Sequence, residues 1–163
     1  MKNLDTLRTD SRLTVRRAGE PDPDGSCVVY WMQRAQRAVD NLALTVAIEV
    51  GNRLGKPVVV FFQLLPQAHH ANYRHYQFLV EGLGDIAADL QKRKVGFVLR
   101  RYPDHGLLRF CAAVRPCLVI ADENPLMEAE RTKTRIAQKI VLPFWTVDAD
   151  VIVPSRLLGR EHY

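Results

Sequence analysis

Apolar positions along this chain fall into two alternating textures. Short, almost uninterrupted apolar runs occur at 27–32 (CVVYWM), 58–65 (VVVFFQLL), 96–99, 117–121 and 144–147, the last shortly before a further apolar triplet at 151–153. Runs of four to eight residues rich in β-branched and aromatic side chains predict buried strands. Between them the period changes. Leu42, Ala43, Val46, Ala47, Val50 and Leu54 lie on one helical stripe that opens near Val39, and Gly55 and Pro57 stop it. Tyr76, Leu79, Val80, Leu83, Ala87 and Leu90 form a second stripe, 107–114 a short helix ended by Pro116, and 126–140 a helix with a weak stripe. The first 26 residues are polar and hold the turn-rich GEPDPDGS, so they read as an arm and loop, with a short helix near residues 4–13. Strands apolar on both faces that alternate with helices predict right-handed crossovers and a mainly parallel sheet covered on both sides. The fold class is α/β, a three-layer sandwich.

Composition narrows this without redirecting it. The 163 residues suit one domain, and 47% hydrophobic with 25% charged residues is ordinary for a globular chain. No apolar run approaches the roughly 20 residues of a membrane helix, and the N-terminus lacks the apolar stretch of a secretory signal. Cys27, Cys111 and Cys117 form no CxxC pair and sit in apolar segments, which predicts reduced core thiols and a cytoplasmic protein. The net charge of +5 favours anionic partners, but the basic residues are scattered, and two of their runs fall where helices end.

In an open α/β sheet, ligands bind outside the carboxyl ends of the strands where the strand order reverses. The segments 33–41, 63–68 and 122–124 occupy those positions. The sequence has no GxGxxG, GxxxxGK[ST] or GxSxG motif, so a dinucleotide fingerprint, a Walker loop and a hydrolase elbow are excluded. His69, His70 and His75 lack the acidic partners of a metal cage. The unusual stretch is YWMQRAQRAVDNLAL, residues 30–44, where polar side chains crowd the exit of the first strand. Placed in the first turns of the next helix, Arg37 and Asn41 share a face, and Arg37 can pair with Asp40. Pattern alone leaves helix capping and ligand binding both open.

This stretch resembles the opening of the N-terminal antenna domain of DNA photolyases, in particular the class II cyclobutane pyrimidine dimer photolyases. The matching residues are Tyr30, Trp31, Met32, Arg34, Arg37, Asp40 and Asn41, while Ala35 and Leu42 depart from the family pattern. PVVVFFQL, YRHYQFLVEGL, ADENPLMEAER and FWTVDADVIVP with GREHY continue the resemblance in order. It implies a Rossmann-like sheet of five strands in the order 3-2-1-4-5. It also implies an N-terminal arm at 1–26, an antenna domain at 27–154, and at 155–163 the start of a linker to a helical FAD domain. A light-harvesting chromophore is implied as well, either 8-hydroxy-5-deazaflavin, folate or flavin. The catalytic FAD, the contacts to UV-damaged DNA and the lyase chemistry would belong to the helical domain. The isolated chain is then expected to be inactive in dimer repair and prone to self-association, with no membrane partner.

The chromophore pocket is expected over the strand ends. Arg34 offers a cation for an anionic ring or tail, with Arg37 nearby. Gln63 and Leu64 give a polar edge beside an apolar wall. Asp122, Glu123 and Asn124 offer acceptors for ring or ribityl hydroxyls, unless they only cap the following helix. The competing function is a nucleotide-binding module like the universal stress or electron-transfer flavoprotein domains. Against it, residues 144–159 hold only Gly159 where those proteins carry a glycine-rich phosphate loop.

Overall fold

The computed structural model describes residues 4–66, 71–103 and 106–157. His69, His70, the GREHY tail and most of the expected linker lie outside the described residues. Six strands form one sheet in the order β1-β6-β5-β2-β3-β4. They are β1 (Leu13–Arg17), β2 (Val28–Met32), β3 (Val58–Leu64), β4 (Gly96–Arg101), β5 (Leu118–Asp122) and β6 (Phe144–Val147). The five strands from β2 onward are all parallel and keep the expected order, with β2 at the centre between β3 and β5.

The expectation of five strands is corrected by β1, which comes from the segment taken as an arm. It pairs antiparallel with β6, Leu13 opposite Val147 and Val15 opposite Trp145. Its LTVRR sequence holds only two apolar residues, and Val15 is exposed. β1 is therefore held by the backbone ladder and by its arginines, a cause that hydrophobic patterning does not register. The short helix expected near residues 4–13 is one turn, α1 (Asp5–Arg8). The triplet 151–153 forms no strand.

The helices α2 (Leu42–Leu54) and α3 (Tyr73–Lys92) cover one face of the sheet, and α4 (Leu107–Val114) and α5 (Met127–Lys139) the other. Every residue of β2 and β5 is buried, as central parallel strands require. One core joins Tyr30, Met32, Val60, Ile120 and Trp145 to Leu44, Ala47, Val50 and Leu90. The other joins Val29, Trp31, Phe61 and Val119 to Leu107 and Cys111. Gly55 ends α2 in the left-handed conformation at φ 67°, as the sequence predicts. No helix among the described residues is long and apolar enough to cross a membrane.

All three cysteines are free and buried. Burial pushes each thiol up from about 9, Cys111 to about 12 and Cys117 to about 11. Burial, with Asp122 alongside, also raises the Tyr30 hydroxyl. The thiols stay neutral in the fold while the unfolded chain ionises them, so their contribution is intact below pH 9 and is lost as pH rises further, and Tyr30 joins them only above 10. Each then costs roughly 1.4 kcal/mol per pH unit. Lys133, lowered by burial, acts in the opposite direction below 10.5, but it is one group against three thiols. The urea midpoint is expected to fall between pH 8.5 and 10.5, and Cys111→Ala is expected to flatten that slope. An unchanged midpoint would mean that the thiols ionise without unfolding.

Candidate functional site at the strand ends

β5 ends on Asp122, whose side chain is 2% exposed. One carboxylate oxygen accepts the Tyr30 hydroxyl at 2.6 Å. The other accepts the backbone N–H groups of Gln33 at 2.8 Å, Arg34 at 2.6 Å and Ala35 at 3.2 Å. The chain leaving β2 thus wraps around a buried anion, with three consecutive amides aimed at it. Asn41 closes the same turn. Its amide donates to the Tyr30 oxygen at 3.0 Å, Ala35 O at 2.8 Å and Arg37 O at 3.1 Å, while its Oδ1 accepts Leu44 N–H at 2.9 Å as the cap of α2.

This turn corrects the helical placement of residues 37–41. Asp40 has φ 49°, a left-handed conformation through which a helix does not propagate, and α2 starts only at Leu42. Arg37 therefore shares no helix face with Asn41. It is exposed, and its Nε donates to the Asp40 carbonyl at 2.8 Å, not to the carboxylate. Ala35 is 3% exposed inside the turn, and its contribution to the Asp122 bonds is its backbone N–H, which does not depend on the side chain.

Beyond this turn a cavity of about 530 Å³ opens across the carboxyl ends of β2 and β3. Trp31, Met32, Phe62 and Leu64 form its apolar floor, Leu79 and Tyr76 of α3 one wall, and Thr132 and Arg135 of α5 the other. Gln33, Arg34, Gln63 and Asn124 supply polar atoms at its edge. Trp31 Nε1 and Gln33 Oε1 are buried and have no hydrogen-bond partner among the described residues. Unpaired buried polar atoms are costly, and Trp145 Nε1, in the core away from the cavity, is another. A larger hollow of about 680 Å³ lies between α1, the 20–23 loop and the end of α2. None of the site residues expected from sequence borders it.

Four of the seven expected site residues, Arg34, Gln63, Leu64 and Asn124, meet at the strand-end cavity. Asn124 also accepts Leu126 N–H at 3.1 Å, which shapes the loop before α5; the cap position itself is Leu126, without a side-chain bond. Asp122, Glu123 and Arg37 do not line the cavity. The oxygens of Asp122 are taken by the protein's own donors. Glu123 faces Arg16, Lys133 and Thr146.

Trp31 is a core residue, as its buried strand predicts, and also borders the cavity; Tyr76, Tyr102 and Thr132 are lining residues that the sequence does not single out. One signal was available. Glu128, Thr132 and Arg135 are spaced four and three apart, a polar face on a helix whose apolar stripe is weak.

The sequence profile described as DNA photolyase matches residues 28–160. The chain is 39% identical over 146 residues to a deoxyribodipyrimidine photo-lyase of Methanothermobacter thermautotrophicus, covering 88% of this chain and 32% of that protein. It is 32% identical over 130 residues to the deoxyribodipyrimidine photo-lyase of Arabidopsis thaliana, covering 78% of this chain and 26% of that one. The chain therefore spans about a third or less of the length of these relatives. Among solved structures, a universal stress protein from Archaeoglobus fulgidus superposes with a TM-score of 0.51 at 13% identity, covering 75% of this chain and 98% of that one, a similarity of fold alone. With the profile running from the start of β2 past the last described residue, and with Tyr30, Arg34 and Asn41 all built into the strand-end turn, the chain belongs to the DNA photolyase family.

Proposed function

We propose that this chain is the antenna-chromophore-binding domain of a class II cyclobutane pyrimidine dimer photolyase. The cavity at the ends of β2 and β3 carries the reading. Its volume lies within the range of small-molecule sites, which are mostly apolar with a few fixed polar groups. The residues present fit a planar chromophore. Trp31, Phe62 and Leu64 border the cavity with apolar atoms, Gln63 and Asn124 with an edge of donors and acceptors, and Arg34 with a cation. When bound, such a group absorbs near-ultraviolet or blue light and passes the excitation on. The protein holds the ring, fixes its orientation and keeps water from its faces. Light-driven dimer cleavage, the catalytic FAD and the contacts to damaged DNA are proposed for the larger protein, through a helical domain that partners this one. A reducing cytoplasm suits its buried free thiols.

Titration of 8-hydroxy-5-deazaflavin, folate and riboflavin into the purified chain, read by absorbance and fluorescence anisotropy, tests the reading. The wild type is expected to bind at least one of them. Ala129→Phe, which fills the cavity from α5, is expected to weaken binding by tenfold or more, on the order of the 1.4 kcal/mol that a steric clash readily exceeds. Failure of the wild type to bind all three would remove the proposal.

A further inference from the structure

Arg34 has a second allegiance. Its Nε lies 2.8 Å from Oδ2 of Asp150, and both side chains are partly exposed, at 38% and 27%. Asp150 belongs to the stretch 148–157, which follows β6 and crosses back past the strand ends with no regular structure except a final 3-10 turn, Ser155–Leu157. That stretch is held chiefly by guanidinium groups, with Pro154 buried and the Asp148 N–H donating to the Arg12 carbonyl at 2.8 Å. Arg12 donates to the carbonyls of Asp148 at 3.2 Å, Val151 at 2.7 Å and Ile152 at 2.6 Å. Arg156 returns two bonds of 3.0 Å to the carbonyls of Leu13 and Asp10. Val151, Ile152, Val153 and Leu157 are all exposed. The Arg34–Asp150 pair joins this lightly held segment to the cavity rim.

Resting on the reading of the cavity as a chromophore site, we propose that Asp150 sets its charge selectivity, competing with an anionic group of the ligand for Arg34. One guanidinium carries one positive charge. A ligand carboxylate or phenolate at Arg34 sits within a few ångströms of the Asp150 carboxylate, and two anions sharing one cation repel each other. Binding an anionic ligand then loosens Asp150, and through it residues 148–153. By reciprocity, Asp150 weakens the binding of that ligand by the same factor. An uncharged ring feels neither effect. The pair is half-exposed, so the factor is about three- to tenfold rather than hundreds.

The test compares wild type, Asp150→Asn, Asp150→Ala and Arg34→Gln in titrations with 8-hydroxy-5-deazaflavin and folate as anionic probes and riboflavin as the uncharged one. Both Asp150 variants are expected to bind an anionic probe about three to ten times more tightly than wild type, with riboflavin unchanged. Arg34→Gln is expected to weaken both anionic probes, which then meet the Asp150 carboxylate without a counter-charge, and to leave riboflavin unchanged. Hydrogen exchange at 148–153 is expected to quicken when an anionic probe binds the wild type, and not in Arg34→Gln. Equal affinity of wild type and both Asp150 variants for the anionic probes, equal tightening for riboflavin, or binding of riboflavin alone would each overturn the competition and leave the cavity's function standing. Absence of binding for every probe in every variant would instead overturn the reading of the cavity itself, and the competition with it.

Discussion

Asp122→Ala is expected to destabilise the fold by about 3–5 kcal/mol, a lowering of the melting temperature by roughly 10 °C in a chain of this length. The carboxylate is buried and accepts four donors: the Tyr30 hydroxyl and the amides of Gln33, Arg34 and Ala35. Removing it leaves those four donors buried without their acceptor. Tyr30→Phe removes one of the four bonds and is expected to lose about 1–2 kcal/mol. Asp122→Asn keeps the shape and an oxygen for the three amides, and its NH₂ donates to the Tyr30 oxygen, so it loses the charge but not every bond and is expected to fall between Tyr30→Phe and the alanine variant. Thermal melts followed by circular dichroism measure all three. A melting temperature for Asp122→Ala within 2 °C of Tyr30→Phe would mean that the turn does not depend on the carboxylate. Because this turn also positions Arg34 and Gln33 at the cavity, chromophore affinity is expected to fall in Asp122→Asn even where the protein remains folded.

Asp122 also marks how far sequence reasoning reaches. Its location after the fourth parallel strand was readable, because a buried apolar run ending in a polar residue locates a strand end. Its role was not, since a carboxylate looks the same whether it faces a ligand or three amides of a turn 90 residues earlier. The central strands and α2, α3 and α4 were legible for the same reason: each buries an apolar set whose period states its geometry. β1 buries little and is specified by long-range partners, Arg16 to Glu123 and Glu130 and Arg17 to the Ala137 carbonyl at 3.2 Å. Nothing within LTVRR announces them. Residues 37–41 read as the first turns of a helix because helical spacing is cheap to find among polar residues, whereas the left-handed Asp40 that holds the helix off until Leu42 has no signature in composition.

Glu123 and Lys133 should respond very differently to removal, although both sit in one buried charge network. Arg16 reaches Glu123 and Glu130 with its two terminal nitrogens and the Thr146 hydroxyl with Nε at 3.0 Å, while Thr146 itself donates to Glu123. Glu123 is thus the acceptor that Arg16 and Thr146 share. Lys133 is fully buried, yet its ammonium lies 3.7 Å from Glu123 and 3.5 Å from the Asn124 carbonyl, long contacts for so costly a burial. Desolvation outweighs the attraction of Glu123 and lowers the lysine's pKa. Removing one partner of a well-bonded buried pair costs about 3–5 kcal/mol, whereas replacing a poorly bonded buried charge with an apolar group of similar volume is often neutral or stabilising. Glu123→Ala is therefore expected to lose about 3–5 kcal/mol, and Lys133→Met to stay within about 1 kcal/mol of wild type, in either direction. The double variant is expected to recover part of the Glu123→Ala loss, because it removes a buried ammonium left without its counter-charge, but not all of it, because Arg16 still lacks one of its two carboxylates. Urea unfolding of the four proteins at pH 7.5 gives the cycle. A loss from Lys133→Met as large as that from Glu123→Ala would show that the ammonium is a full member of the network and that its long contacts understate its binding.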